Sequence, residues 1–256
     1  GLRPVVEIMF ADFLACCANQ LINICSKLRY LTGGQVKVPI VIRTAVGWHY
    51  VSGHGGEHAQ TLIPQFMNIP GLKIVAPSTP YDAKGLLKSA IRDDAPVIFY
   101  EPLWLYFTKG PVPEEEYTVP LGVADVKREG DDVTIVAISP LTLEALKAAD
   151  ELAKRGISAE VIDPRTLVPL DKETIIKSVK KTSRLVTVES CHKRCGVGSE
   201  IVSVVVEEAF DYLDAPPVRV AAANIPIATM QCVLAHHVVP TSKDVVEAAE
   251  KLVKGG

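Results

Sequence analysis

Residues 73–100 read KIVAPSTPYDAKGLLKSAIRDDAPVIFY, and this stretch decides the fold class. Its two ends, residues 73–76 and 97–100, are apolar runs of strand length. Between them, Thr79 is a helix-capping residue, and Pro80 suits the first helical position. Asp82 follows the capping residue by three positions, where its side chain can bond back to the Thr79 backbone N–H. A strand, a helix and a strand in this order predict two parallel strands joined by a crossover helix.

The same alternation continues on both sides of this unit. Further strands are predicted at residues 4–10, 38–43, 133–138, 159–163, 185–189 and 218–222. Further helices are predicted at residues 14–31, from His58 onward, at residues 141–155, 172–181 and 197–210, and after the capping residue Thr241. The turn-rich, charged stretch KGPVPEEEY at residues 109–117 indicates an inter-domain connection. We therefore predict two α/β domains, residues 1–116 and 117–256, each with a mostly parallel sheet covered by helices on both faces.

Composition and charge argue against two kinds of partner. No apolar run among the 256 residues approaches the roughly 18 that a membrane-spanning helix needs, so we expect no membrane segment. The net charge is −3 and the basic residues are scattered among acids, which argues against nucleic acid. The six cysteines do not resemble a secreted disulfide framework and favour a reducing compartment.

Four segments carry a family resemblance. They are GLRPVVEIMF at residues 1–10, APSTPYDAKGLLKSAIRDD at 76–94, EEEYTVPLG at 114–122 and GVGSEI at 196–201. Together they closely resemble the beta chains of pyruvate, branched-chain 2-oxoacid and acetoin dehydrogenases. The resemblance implies a transketolase-like pyrimidine-binding domain followed by a transketolase C-terminal-type domain.

The resemblance also implies a function that is shared between subunits. In this family an alpha chain holds the diphosphate of thiamine diphosphate through magnesium, and the beta chain holds the aminopyrimidine, in an α2β2 heterotetramer. The sequence agrees, since it contains no Gly-Asp-Gly magnesium–diphosphate motif. The expected reaction decarboxylates a 2-oxoacid and passes the acyl group to lipoamide on a dihydrolipoyl acyltransferase. Pyruvate is the leading substrate, and branched-chain 2-oxoacids and acetoin are the alternatives. The expected location is the cytoplasm of a bacterium or archaeon, or the mitochondrial matrix of a eukaryote.

The resemblance assigns a catalytic role to His58, which lies in the segment GEHAQ at residues 56–60. An imidazole at a helix start can exchange protons near neutral pH with substrate or lipoyl thiolate. The alternative is that His58 is a surface or helix-capping histidine without a catalytic role. Phe13 matches the aromatic residue that packs against the aminopyrimidine in the family, whereas composition alone favours a core phenylalanine.

The resemblance further implies a structural potassium ion. In some relatives backbone carbonyls hold this ion at the positions of Ile40, Ala90, Ile91 and Asp93, and hard oxygen ligands suit such a cation. Relatives often carry asparagine where this sequence has Ala95. That departure removes a polar side chain from the neighbourhood of the predicted site.

Other departures keep rival interpretations open. Family members carry a glutamate that activates the cofactor at a position upstream of Gly1, and we expect a segment that contains it to precede this sequence. A catalytically inactive scaffolding paralogue is therefore an alternative, as is a fragment of transketolase or deoxyxylulose-phosphate synthase. The histidine-rich loop at residues 48–56, the segment CHKRC at 191–195, and Cys232 with His236 and His237 contain possible zinc ligands. Their spacing is unlike that of structural zinc sites, so no zinc is predicted. The half from residue 122 onward is expected to contact a second beta chain and the acyltransferase.

Overall fold

The computed structural model describes residues 1–47, 56–227 and 238–255. They form two compact units, and each unit is built from several separate segments of the chain. Unit 1 contains Gly1–Val123, Arg165–Pro169 and residues 226–227, and unit 2 contains Ala124–Pro164, Leu170–Ile225 and residues 238–255. The domain division at residues 116 and 117 therefore stays a prediction. None of the described helices is long and apolar enough to cross a membrane.

Unit 1 is a five-stranded sheet with helices. Its strands are β1 (Val5–Phe10), β2 (Val41–Val46), β3 (Lys73–Val75), β4 (Val97–Pro102) and β8 (Thr166–Val168), in the order β1-β2-β4-β3-β8. The first four strands are parallel, and β8 runs antiparallel to β3. The quoted strand–helix–strand unit is confirmed: α3 (Pro80–Arg92) begins after Thr79, whose hydroxyl accepts the Asp82 N–H at 3.1 Å. Leu86, Val97 and Phe99 are buried in the core beside this helix.

Two elements of unit 1 differ from their predictions. Strand β2 begins at Val41 instead of residue 38, because Pro39 has no N–H to donate and the Ile40 N–H bonds back to the Val38 carbonyl. The predicted helix at residues 14–31 is helical but unevenly wound: a 3-10 turn (Ala11–Cys17) leads into a π-helical turn (Gln20–Cys25) and α1 (Ser26–Leu31). Leu14 and Leu21 of this segment are buried, whereas Leu31 at its end is exposed.

His58 does not begin a helix, which corrects that part of its interpretation. The helix in this region is α2 (Pro64–Met67), with Pro64 at its start. Proline suits the first helical position because its fixed φ and missing N–H cost nothing there. His58 lies in the preceding bend. The helix start predicted at His58 is therefore wrong.

Unit 2 repeats the architecture with its own sheet. Its strands are β5 (Asp125–Arg128), β6 (Val133–Ala137), β7 (Ala159–Asp163), β9 (Leu185–His192) and β10 (Val218–Ala222), in the order β10-β9-β6-β7-β5. Its helices are α4 (Leu141–Lys154), α5 (Lys172–Thr182), α6 (Val197–Ala209) and α7 (Ser242–Lys254). The predicted capping box of the last helix is confirmed, with Thr241 and Asp244 bonded reciprocally. Every residue of β6 and β7 is buried, including the polar residues Thr134, Glu160 and Asp163.

Candidate active site

The carboxyl end of β1 brings two phenylalanines to one histidine. Phe10 ends the strand, and Phe13 lies in the 3-10 turn that follows immediately. The His58 ring lies edge-on to both rings, with centroids 4.9 Å from Phe10 and 5.0 Å from Phe13. The structure therefore brings together the two site residues, His58 and Phe13, that were singled out in the sequence. Ligands of parallel α/β sheets commonly bind at this end of the strands.

Phe13 presents part of its ring to solvent. Its exposed fraction is 39%, which is unusual for a residue that composition alone assigns to the core. The ring lies at 65° to that of Phe10, with centroids 6.4 Å apart, so Phe10 packs against Phe13 without stacking on its face. A flat apolar surface beside an imidazole is chemically suited to a heteroaromatic ring with a proton to exchange.

Asp12 is an acidic member of this site that sequence reasoning missed. It lies between the two phenylalanines in the chain, and burial raises the pKa of its carboxyl group. The N–H groups of Asp12 and Gln60 and the nearby His58 act in the opposite direction and favour the carboxylate. The signal in the sequence was an acid placed directly after an apolar strand, between two aromatic residues.

A second polar network spans three neighbouring strands of unit 1. Arg43 on β2 donates from Nε and Nη2 to the two oxygens of Glu101 on β4, at 2.5 and 2.8 Å. The Tyr106 hydroxyl donates to Glu101 at 3.0 Å, and burial followed by the charge of Glu101 raises the pKa of Tyr106. Oε2 of Glu7 on β1 lies 3.7 Å from Nη1 of Arg43. Glu101 and Tyr106 line a cavity of about 380 Å³ with Ser78 and Thr79 among its other residues.

The carbonyls predicted to hold potassium are already engaged. Arg3 Nη1 donates to the carbonyls of Asp93 at 2.8 Å and Ile91 at 3.2 Å. The Ile40 carbonyl accepts the Val97 N–H at 2.9 Å, and the Ala90 carbonyl accepts the Asp93 N–H at 3.2 Å. A guanidinium on two of the four carbonyls puts a fixed positive charge where the ion would lie, so this donor set does not fit a potassium ion.

The cysteine and histidine segments form no metal cluster in the part of the chain that the structure describes. Cys191 is buried and Cys195 is exposed. His192 Nδ1 lies 2.8 Å from the Ala223 carbonyl. His49, His54, Cys232, His236 and His237 lie outside the described residues.

Unit 2 contains a buried carboxylate at the start of α6. Glu189 is fully buried, and its Oε1 accepts the Gly198 N–H at 2.9 Å. Burial raises the pKa of Glu189 to about 7, against the opposing effect of the Gly198 and Val197 N–H groups. Gly198 is required here, because a Cβ would lie 2.4 Å from Thr187 Oγ1 and 2.7 Å from Glu189 Oε1. The Glu189 side chain thus provides an acceptor for a first-turn N–H group of α6.

Comparison with known proteins covers nearly the whole chain. Residues 1–107 match the transketolase pyrimidine-binding domain, and residues 122–245 match the transketolase C-terminal domain. The beta subunit of acetoin:2,6-dichlorophenolindophenol oxidoreductase from Bacillus subtilis is 46% identical over 99% of this chain and 73% of its own length. The beta subunit of the pyruvate dehydrogenase E1 component from the same organism is 45% identical, over 99% of this chain and 77% of its own length.

A plant relative and a solved structure extend the comparison. The mitochondrial pyruvate dehydrogenase E1 component subunit beta-1 of Arabidopsis thaliana is 45% identical over 98% of this chain and 69% of its own length. A solved structure described as a split gene transketolase, inactive beta4 tetramer, superposes with a TM-score of 0.80 at 25% identity, over 99% of this chain and 77% of that one. The similarity therefore extends through both units.

Proposed function

Because the chain belongs to the family of 2-oxoacid and acetoin dehydrogenase beta subunits, with transketolase pyrimidine-binding and C-terminal domains, we propose that it forms half of a thiamine-diphosphate active site completed by an alpha chain. The complete site decarboxylates a 2-oxoacid and passes the acyl group to lipoamide. The observation that carries this proposal is the contact of His58 with Phe10 and Phe13 at the carboxyl end of β1.

The residues of this site fit the aminopyrimidine part of the cofactor. The half-exposed ring of Phe13 offers an open apolar face beside an imidazole. When bound, thiamine diphosphate would supply the electron sink for cleavage of the bond next to a carbonyl. Phe13 would pack against the pyrimidine ring, and His58 would exchange a proton with the substrate or with the incoming lipoyl thiolate.

The diphosphate and its magnesium are assigned to the alpha chain. The 256 residues contain no Gly-Asp-Gly motif, so this chain offers no recognisable loop for a metal-bound diphosphate. We propose the α2β2 heterotetramer as well, because the relatives that this chain matches are named as beta subunits of their enzymes. The half from residue 122 onward, which has none of the site residues, contacts the second beta chain and the dihydrolipoyl acyltransferase. The cytoplasm of a prokaryote or the mitochondrial matrix remains the proposed location.

Pyruvate is the proposed substrate, and acetoin is the second candidate. The Bacillus subtilis pyruvate dehydrogenase subunit is 45% identical, whereas the acetoin oxidoreductase subunit from that organism is 46% identical. Cleavage of either compound next to its carbonyl leaves the same two-carbon acyl unit. A pocket shaped for that unit therefore suits both, and the two relatives do not separate them.

Substrate competition in the reconstituted complex tests the proposal. The full-length polypeptide is combined with a matching alpha chain, thiamine diphosphate and magnesium, and kcat/KM is measured for pyruvate, acetoin and a branched-chain 2-oxoacid. We expect the highest value with pyruvate. A higher value with another compound reassigns the substrate. Stable assembly without turnover of any of them supports the scaffolding alternative instead.

A further inference from the structure

The last turn of α3 ends at a cluster of outward carbonyls and acidic side chains. The C-terminal carbonyls of a helix lack intrahelical partners and carry partial negative charge. Here Asp93 and Asp94 follow the helix directly and add two carboxyl groups. A nearby cation would stabilise this concentration of negative charge.

Arg3 supplies that cation from the segment before β1. Its Nη1 donates to the carbonyls of Ile91 and Asp93, and its Nη2 donates to Asp94 Oδ1 at 2.6 Å. One guanidinium thus donates hydrogen bonds both to carbonyls at the helix end and to the Asp94 carboxylate. The planar fork of arginine suits several acceptors that lie in different directions.

Two lysines complete the charge balance. Lys37 lies 2.7 Å from Asp94 Oδ2, so Asp94 is paired on both oxygens. Lys73 on β3 donates to the Asp93 carboxylate. The hydrogen bonds of Lys37 and then Arg3 lower the pKa of Asp94 to about 2. Three basic side chains from three parts of unit 1 therefore neutralise the two carboxyl groups.

We propose that Arg3 is a built-in cation that takes the place of a bound potassium ion at the end of α3. Two of the four carbonyls where the ion was predicted are its acceptors, and the other two accept backbone N–H groups. Ala95 contributes no side-chain oxygen that could hold an ion. The helix end is therefore stabilised in the absence of potassium.

Hydrogen–deuterium exchange of the full chain tests this inference locally. Amide exchange of a peptide that spans residues 88–97 is measured in potassium chloride and in choline chloride at equal ionic strength. For the wild-type chain we expect rates that agree within about twofold, because no potassium binds there. Arg3→Met is expected to speed this exchange roughly three- to tenfold in choline chloride, the range for lost hydrogen bonds at an exposed charged group.

Two further variants make the result specific. Arg92→Met removes a guanidinium from the same helix end, but one that donates to the Lys88 carbonyl and Glu116, and it should leave the exchange within about twofold of wild type. Arg3→Lys keeps the charge and should retain part of the protection. Slower wild-type exchange that saturates with potassium would overturn the proposal, as would an Arg3→Met variant that exchanges like wild type. The wild-type comparison holds even if Arg3→Met fails to fold.

Discussion

His58 lies edge-on against two phenylalanine rings, and this contact fixes where its imidazole can act. Phe10 ends a strand and Phe13 lies in the turn directly after it, so the backbone holds both rings firmly. Asp12, between them, faces the same histidine and the Gln60 N–H. The carboxyl group, the imidazole and the two rings therefore meet at one place after β1.

The first prediction concerns His58→Ala in the complex reconstituted with an alpha chain. We expect acyl transfer to lipoamide to fall by roughly two to four orders of magnitude, because a proton-transfer group contributes about that much. Binding of thiamine diphosphate should weaken far less, because Phe13 remains. The measurement is steady-state turnover together with cofactor titration, and His192→Ala in unit 2 is the control. Unchanged turnover in the alanine variant would reject the catalytic role of His58.

The second prediction concerns Glu189 and pH. Its pKa is raised from 4.5 to about 7 in the folded chain, so the folded state binds more protons than the unfolded state between these values. Stability is then fully present below pH 4.5 and is lost as pH rises through about 7, by an amount on the order of 3 kcal/mol. Glu189→Gln should remove this part of the pH dependence.

Urea unfolding of both chains at several pH values between 4.5 and 8 provides the measurement. The difference in unfolding free energy between wild type and Glu189→Gln should change with pH across this window. Gln keeps an oxygen that can accept the Gly198 N–H, so the helix start stays bonded. Parallel pH profiles for the two chains would contradict the buried, proton-binding state of Glu189.

The resemblance in the sequence was enough to single out His58 and Phe13. It did not predict that their rings are in contact, or that Asp12 lies beside them. They lie far apart in the chain, and their meeting depends on how the bend before α2 packs against β1. The helix start assigned to His58 was wrong because Pro64 was not recognised as the first helical residue. Asp12 was missed because an isolated acid after a strand is usually a solvated residue.

At the level of elements, the segment Arg165–Pro169 joins unit 1 through a buried ion pair. Arg165 Nη1 donates to Asp82 Oδ1 on α3 at 3.0 Å, and both side chains are buried. The Arg165 guanidinium also donates to the Val123 carbonyl, while its own carbonyl accepts the Ala76 N–H. These bonds place β8 on the edge of the sheet beside β3.

The third prediction is that Arg165→Met destabilises the chain by roughly 3 to 5 kcal/mol. The reason is that Asp82 would remain buried without its charge partner. Urea unfolding is the measurement, and Lys154→Met is a matched control because its pair with Glu151 is solvent-exposed. The control should leave the stability nearly unchanged, because solvent screens an exposed ion pair. Equal effects of the two substitutions would show that the Arg165–Asp82 pair is unimportant.

Most elements could be predicted from periodicity and capping, and the exceptions have physical causes. The unit at residues 73–100 and the capped last helix are confirmed because their capping residues and apolar runs are local signals. Strands β5 and β8 escaped prediction because they are short and exist through pairing with β7 and β3. The uneven winding of residues 11–31 has no signal in a simple helical period.

At the scale of the whole molecule, the two units contain different chemical features. Unit 1 contains His58, Phe13 and the Arg43–Glu101 network, and unit 2 contains the buried Glu189 at the start of α6. The alternation of strands and helices predicted two α/β assemblies. It could not predict that residues 165–169 return to the first sheet, because such a crossing depends on side-chain bonds between distant segments.

The most direct test of the half-site account is 2-oxoacid decarboxylation by the purified full-length chain with and without a matching alpha chain. Thiamine diphosphate and magnesium are present in both assays, and an artificial electron acceptor reports turnover. The account predicts no turnover by the single chain, because its 256 residues contain no Gly-Asp-Gly motif, and turnover once the alpha chain is added. Measurable decarboxylation by the chain alone would contradict the account.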